Sequence, residues 1–174
     1  CHAATPHLGV NPILIGSEIV SEFNKLYKKL LNENKKLVIS TTYFHSGVSM
    51  NIIPETLTIK GTARSFNNET RKLLHNELSN IANAIANKYN AKAIFTFHYA
   101  YDPVINNNDL VDFVSQCANK VENNSFITLE NSELIGEDFS YYKKLGKICF
   151  MWLGVRGENQ EFFDLHNPQF IQAL

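Results

Sequence analysis

The apolar positions in the first hundred residues switch between helical and strand-like spacing. Over residues 11–32 they recur every three or four positions, which predicts an amphipathic helix with Pro12 in its first turn. The same spacing predicts a second helix over residues 68–89, which Asn67 or Asn68 can cap. The two helices are therefore expected to bury one face each against a common partner.

Strand-like patterns flank the two helices. Strands are predicted over 37–45, 57–66 and 92–101. The second of these alternates strictly, which places Arg64 on the polar face of a half-buried strand. Residues 1–8 read as an edge strand or a loop because they contain a proline. The resulting order β-α-β-β-α-β predicts an α+β, ferredoxin-like domain over residues 1–102.

The remaining residues, 103–174, predict an incomplete α/β segment that begins after the turn at Asp102-Pro103. The predicted elements are helices over 109–122 and 136–145 and strands over 126–129 and 148–154, followed by a loop-like tail. The strand over 148–154 is apolar throughout, as strands covered on both faces are. It needs a partner sheet that this sequence does not contain in obvious form.

Charge and composition narrow the function classes. The 174 residues carry 16 basic and 17 acidic side chains, a net charge of −1, without the basic excess of nucleic-acid-binding proteins. No apolar run approaches the ~20 residues of a membrane span. The three scattered cysteines do not form a disulfide framework, and we expect a reducing, cytoplasmic setting. The sequence begins without Met and within apparent structure, so processing or a longer parent is expected.

Several polar residues are candidates for chemistry on their own account. His2 is a functional group or a surface histidine, and Arg64 is a carboxylate ligand or a solvated strand residue; the sequence leaves both alternatives open. The loop residue Asn51 is expected to reach the same surface as Arg64 through a hairpin. His166 lies in a loop after the apolar strand, where site residues concentrate. Glu137 is a site candidate or a favourable charge at a helix start.

Four motifs in order resemble one enzyme family. They are CHAATPH at 1–7 with NPI at 11–13, NIIPE at 51–55 with GTARSF at 61–66, GEDFS at 136–140, and LHNPQF at 165–170. Together they resemble the aminoacylase and carboxypeptidase-G-like metallo-amidohydrolases, in the branch of hippurate hydrolase and N-acyl-amino-acid amidohydrolases. Cys1 and Asn11 depart from the Gly and Asp usual in the family.

The resemblance implies a domain organisation. The chain resembles the inserted lid, or dimerisation, domain over 1–102 and the C-terminal part of the catalytic domain over 103–174. The first half of that catalytic domain, which carries most metal ligands in this family, has no counterpart here. The resemblance therefore implies a fragment that is inactive alone and forms a homodimer through its lid.

The resemblance also implies a reaction. Two divalent metal ions, zinc or manganese, assist hydrolysis of the amide bond of N-acyl amino acids such as hippurate. His166 matches a metal ligand, and His2 matches a lid histidine that reaches the scissile carbonyl across the dimer. Asn51 and Arg64 match residues that hold the free carboxylate of the substrate. Glu137 matches no group that touches a reacting atom, and is expected to lie behind the ligands or to be structural.

Two other functions stay open at this point. One is a dipeptidase or carboxypeptidase of the same family, because the sequence does not separate acyl groups. The other is a non-catalytic dimerisation or ligand-binding module with a ferredoxin-like fold.

Overall fold

The computed structural model describes residues 1–121, 126–134, 136–155, 161, 163 and 167. Within those residues it forms α1 (Pro12–Asn32), β1 (Leu37–Ser46), β2 (Leu57–Ser65), α2 (Asn68–Lys88) and α3 (Asn108–Val121). Two 3₁₀ helices lie at Pro6–Leu8 and Asp138–Lys144. The predicted α+β class is confirmed, and α1, α2 and α3 match the helices predicted over 11–32, 68–89 and 109–122. The helix predicted over 136–145 is instead a 3₁₀ helix over Asp138–Lys144.

Both long helices begin where the sequence places a cap. The Asn11 side chain accepts a hydrogen bond from the Ile13 amide at 3.0 Å, and Pro12 opens α1. The Asn67 side chain accepts one from the Thr70 amide at 2.7 Å, so Asn67 is the cap of α2. These caps satisfy amide groups that have no partner within the helix itself.

The strands β1 and β2 form an antiparallel hairpin. Its register pairs Leu37 with Ser65 and Ser46 with Leu57, with an irregularity between Thr41 and Tyr43. The side chains of Leu37, Ile39, Ile59 and Ala63 contribute to the hydrophobic core. Arg64 pairs with Val38. Because side chains alternate along a strand, both lie on the face of the hairpin opposite the core.

The core lies between the hairpin and the helices α1 and α2. One buried cluster contains Leu26, Leu30, Leu37, Leu74 and Leu78, and a second contains Ile15, Ile19, Ala82 and Ile85. Gly16 lets α1 approach β2 closely, because a Cβ at this position would overlap the Leu57 side chain. The helices therefore cover one face of the hairpin, and the face that carries Arg64 points away from them.

Three predicted strands are absent from the described residues. Residues 92–101, 126–129 and 148–154 have no assigned strand, although Phe95 and Phe97 pack against the core. Leu153 is 85% exposed, which contradicts the prediction of a strand covered on both faces. An apolar or alternating pattern records a preference for burial, whereas a strand also needs a neighbour with which to pair.

The chain divides into two compact units. The first contains Cys1–Val104 and Ile127–Tyr141, and the second contains Ile105–Phe126 and Tyr142–Leu174. In the second unit the Asn106 side chain forms hydrogen bonds with the Phe150 carbonyl and amide, both at 2.8 Å. Residues 127–141 were predicted in the C-terminal domain and lie in the first unit here. The domain boundary after residue 102 stays a prediction for the whole protein.

Candidate functional site

The N-terminal residues pair with the loop of the hairpin. His2 forms an antiparallel bridge with Ile52. The Ala3 amide donates to the Asn51 carbonyl oxygen at 3.0 Å, and the Ile53 amide donates to the Cys1 carbonyl oxygen at 2.8 Å. These bonds hold His2 and Asn51 at neighbouring positions on two paired segments.

The side chains of His2 and Asn51 both keep hydrogen-bond donors for a ligand. The Ala4 amide donates to His2 Nδ1 at 3.0 Å, so Nδ1 carries no proton and the neutral ring has its N–H at Nε2. The Ser49 hydroxyl donates to Asn51 Oδ1 at 2.5 Å, and the Asn51 amide nitrogen has no partner among the described residues. Both side chains are exposed, so both donors are accessible.

Arg64 is half-buried and partly anchored. Its Nη1 donates to the Leu134 carbonyl oxygen at 3.1 Å, and its Nε approaches Thr62 Oγ1 at 3.5 Å. Among the described residues, the other N–H groups of the guanidinium have no partner. A positive charge held in this way can accept a carboxylate without first breaking an ion pair.

The structure does not bring Asn51 and Arg64 together within one chain. Arg64 lies near the C-terminal end of β2, whereas Asn51 precedes the start of β2 at Leu57. At about 3.3 Å per residue, the strand from Leu57 to Arg64 spans about 23 Å. Within a single chain Asn51 is therefore grouped with His2 rather than with Arg64, and a shared role of Asn51 and Arg64 stays a prediction.

Glu137 has a local structural role. Its side-chain Oε1 accepts a hydrogen bond from the Phe139 amide at 3.3 Å, and its carbonyl accepts one from the Ser140 amide at 3.3 Å. Both contacts start the 3₁₀ helix Asp138–Lys144. This arrangement matches the helix-start alternative that the sequence left open.

The described residues do not form a metal site. Within the ranges that the structure describes, no three His, Cys, Asp or Glu side chains are grouped so that they could hold an ion. A catalytic zinc ion takes about three protein ligands. His166, the predicted ligand, lies outside the described residues. The described residues alone therefore do not supply the ligands of a metal centre. His2, Asn51 and Arg64 offer hydrogen-bond donors instead.

Sequence reasoning missed the surroundings of Arg64. A Cβ built at Gly136 would lie within 4 Å of both the Arg64 guanidinium and the Tyr101 ring, and the Leu134 carbonyl anchors the guanidinium. Gly136 opens the GEDFS motif, which was the available signal, but the motif does not say which residue it contacts. A separate open cavity of about 360 Å³ lies in the hairpin loop between His45 and Thr58 and does not include the predicted residues.

Comparison with known families places the chain. The model of the peptidase dimerisation domain of the M20 family matches residues 1–90, which is more than half of the chain. The chain belongs to this family. The recognition of an aminoacylase-like lid from the motifs is thereby confirmed.

The relatives of the chain are hydrolases. It is 27% identical to N-acetylcysteine deacetylase of Bacillus subtilis, over 97% of this chain and 43% of that protein. It is 26% identical to hippurate hydrolase of Campylobacter jejuni, over 98% of this chain and 44% of that protein. The chain thus spans about two fifths of the length of the curated relatives that it matches.

Solved structures agree with these relatives. A Bacillus subtilis protein described as a dinuclear metal-binding peptidase of the M20 family is 26% identical, with a TM-score of 0.70. That likeness covers 94% of this chain and 41% of that protein. In the described part of this chain, every helix is too short or too polar to cross a lipid bilayer.

Proposed function

We propose that the chain is part of an enzyme that hydrolyses the amide bond of N-acyl amino acids, releasing a carboxylic acid and a free amino acid. The family and the relatives support amide hydrolysis in general. N-acetylcysteine and hippurate, named in two relatives, are both N-acyl amino acids with a free carboxylate. The observation that supports this substrate class for the present chain is the half-buried Arg64, whose guanidinium has N–H groups without a described partner.

Arg64 would bind the free carboxylate of the substrate. Its guanidinium is half-buried, is held by Leu134 and Thr62, and keeps N–H groups without a described partner. A planar guanidinium matches a carboxylate through paired, charge-assisted hydrogen bonds. A clamp of this kind selects amino-acid conjugates over neutral amides, because the neutral amides leave the charge of Arg64 uncompensated.

His2 and Asn51 would act on the same substrate from the opposite protomer of a homodimer. About 23 Å of strand separates their end of the hairpin from Arg64, which is too far for one amino-acid substrate to span. In a dimer formed through the lid, the His2–Asn51 end of one chain can meet the Arg64 end of its partner. The Nε2–H of His2 would then donate to the scissile carbonyl oxygen as negative charge develops on it.

Divalent metal ions, zinc or manganese, would be bound mainly by residues outside this chain, with His166 as a ligand from within it. When bound, two such ions supply an activated water and polarise the carbonyl. We further propose a cytoplasmic location, which the three scattered cysteines favour. We expect the 174-residue chain alone to be inactive.

The test is hydrolysis of N-benzoylglycine by the full-length protein and by the 174-residue chain, with benzamide as the substrate that lacks a carboxylate. The proposal expects the full-length protein, but not the 174-residue chain, to release benzoate from N-benzoylglycine. It expects the full-length protein to release little benzoate from benzamide. Equal rates on the two substrates, or activity of the short chain, would contradict it.

A further inference from the structure

Gly136 leaves an open space beside the predicted carboxylate ligand. A Cβ built at this position would lie 3.8 Å from Nη1 and 3.9 Å from Cζ of Arg64. On its other side it would lie 3.5 Å from Cδ2 of the Tyr101 ring. The missing side chain thus marks a point that the guanidinium and an aromatic ring both approach.

Packing does not require glycine here. The distances of 3.5–3.9 Å are ordinary van der Waals contacts, so an added methyl group would fit without moving its neighbours. By contrast, Gly61 has no room for a methyl group, because it would collide with the Ser40 carbonyl oxygen.

The two walls of this space differ in chemistry. Arg64 offers N–H groups that have no described partner, while its Nη1 is anchored on Leu134. Tyr101 is 46% exposed, and the Tyr141 ring braces it edge-on with ring centroids 5.9 Å apart. A charged wall beside a braced aromatic wall suits an anion that carries an apolar substituent on the adjacent carbon.

We propose that Gly136 and Tyr101 are specificity-determining residues that admit the carboxylate of an amino-acid conjugate to Arg64 and contact the substituent on its α-carbon. The inference rests on the proposed function, because it deepens the role assigned to Arg64. Glycine at 136 leaves room for the α-carbon, and Tyr101 favours apolar side chains over polar ones. Leu134 is a positioning residue that acts through its carbonyl oxygen.

The experiment compares Gly136→Ala with Gly146→Ala in the full-length protein. Gly146 is the matched control, because a Cβ there would meet nothing within 4 Å. The substrates are N-benzoylglycine and N-benzoylphenylalanine. The proposal expects Gly136→Ala to raise KM more for the phenylalanine conjugate, by about tenfold, because the methyl group occupies the space that the substituent on the α-carbon would take. Gly146→Ala is expected to leave both KM values unchanged.

Tyr101 provides an independent variant. Tyr101→Phe keeps the ring and is expected to keep the preference for phenylalanine over glycine, whereas Tyr101→Ala is expected to lose it. Equal KM values for Gly136→Ala and wild type on both substrates, or an unchanged preference in Tyr101→Ala, would overturn the inference. The proposed function would still hold in that case, provided that the protein hydrolyses N-benzoylglycine.

If no hydrolysis occurs, a binding measurement separates the proposed specificity site from the proposed reaction. Binding of N-benzoylglycine is measured as the rise in melting temperature that it causes. Binding that is weakened by Gly136→Ala and unaffected by Gly146→Ala would support the specificity site although the proposed reaction had failed. Binding that is the same in both variants would overturn the specificity site.

Discussion

The Ala3 amide donates a hydrogen bond to the Asn51 carbonyl oxygen at 3.0 Å, which fixes the chain segment of His2 beside the hairpin loop. This contact has a consequence for the composition of the site. Whichever protomer provides His2 to a substrate also provides Asn51, whereas Arg64 belongs to the far end of the same hairpin. Under the proposed function, a substrate that contacts all three residues would therefore draw them from two chains.

Removal of the guanidinium tests the carboxylate clamp. Arg64→Ala in the full-length protein is expected to raise KM for N-benzoylglycine about 10- to 100-fold, because a hydrogen bond to a charged group is lost. Lys60→Ala is the matched control, since Lys60 lies on the same strand and the same face and contacts the Tyr43 ring. If Arg64→Ala raised KM equally for the methyl ester of N-benzoylglycine, which has no free carboxylate, Arg64 would not bind the carboxylate.

The two predicted site histidines are expected to fail in different ways. His2→Ala should lower kcat about 10²- to 10³-fold, as loss of a donor to a developing oxyanion does, and should leave the metal content unchanged. His166→Ala should lower the metal content measured by atomic absorption. His7→Ala is the control for an exposed histidine nearby. Full metal occupancy in His166→Ala would rule out its role as a ligand.

An ion pair between the two lid helices predicts a pH dependence of stability. Hydrogen bonds from Lys88 and then Tyr89 lower the pKa of Glu18 below its ordinary value of 4.5, and the pKa of Lys88 is raised above 10.5. A lowered carboxyl pKa stabilises the fold above the ordinary value, and this stabilisation is lost as the pH falls through the lowered pKa. The raised lysine pKa stabilises the fold below 10.5 and ceases to do so at higher pH.

Glu18→Gln is therefore expected to lower the melting temperature at about pH 7, and to match wild type once the pH is well below 4.5. Glu22→Gln is the control, because Glu22 pairs only with Lys25 on its own helix among the described residues. A melting-temperature difference that stayed constant down to about pH 2 would show that the ionised carboxylate of Glu18 does not contribute.

The hairpin is expected to be sensitive to one glycine. In Gly61→Ala the new methyl group would collide with the Ser40 carbonyl oxygen on β1, a backbone atom that cannot rotate away. We expect a loss of about 1–3 kcal/mol in the free energy of unfolding, measured with urea. Gly146→Ala should change it by less than ~0.5 kcal/mol, and equal values for the two variants would argue against this hairpin packing.

The sequence was a good guide to the helices. Asn11 and Pro12 for α1, and Asn67 for α2, are local signals, because each cap is made within three residues of its own position. The helical spacing over residues 68–89 is likewise local, and Leu74 and Leu78, four positions apart, are both buried in α2. Signals of this kind depend only on neighbours in the chain.

Features that depend on distant neighbours were predicted less well. Residues 92–101 have the alternation of a strand, but a strand forms only where another segment pairs with it. The separation of Asn51 from Arg64 follows from the register of the hairpin, and no single residue in the sequence predicts that register. The same holds for Gly136, which lies close to both Arg64 and Tyr101 although both are remote from it in sequence.

Mixing of impaired variants tests the two-chain site most directly. Full-length His2→Ala and Arg64→Ala proteins are mixed, dissociated and reassembled. Hydrolysis of N-benzoylglycine is then measured at a concentration well below the KM of wild type, where each variant alone is nearly inactive. If the site takes His2 and Asn51 from one protomer and Arg64 from the other, each mixed dimer has one intact site, and about one quarter of the wild-type activity returns. Asn51→Ala mixed with Arg64→Ala should behave alike, whereas His2→Ala with Asn51→Ala should recover nothing. No recovery in the mixtures with Arg64→Ala would contradict the account.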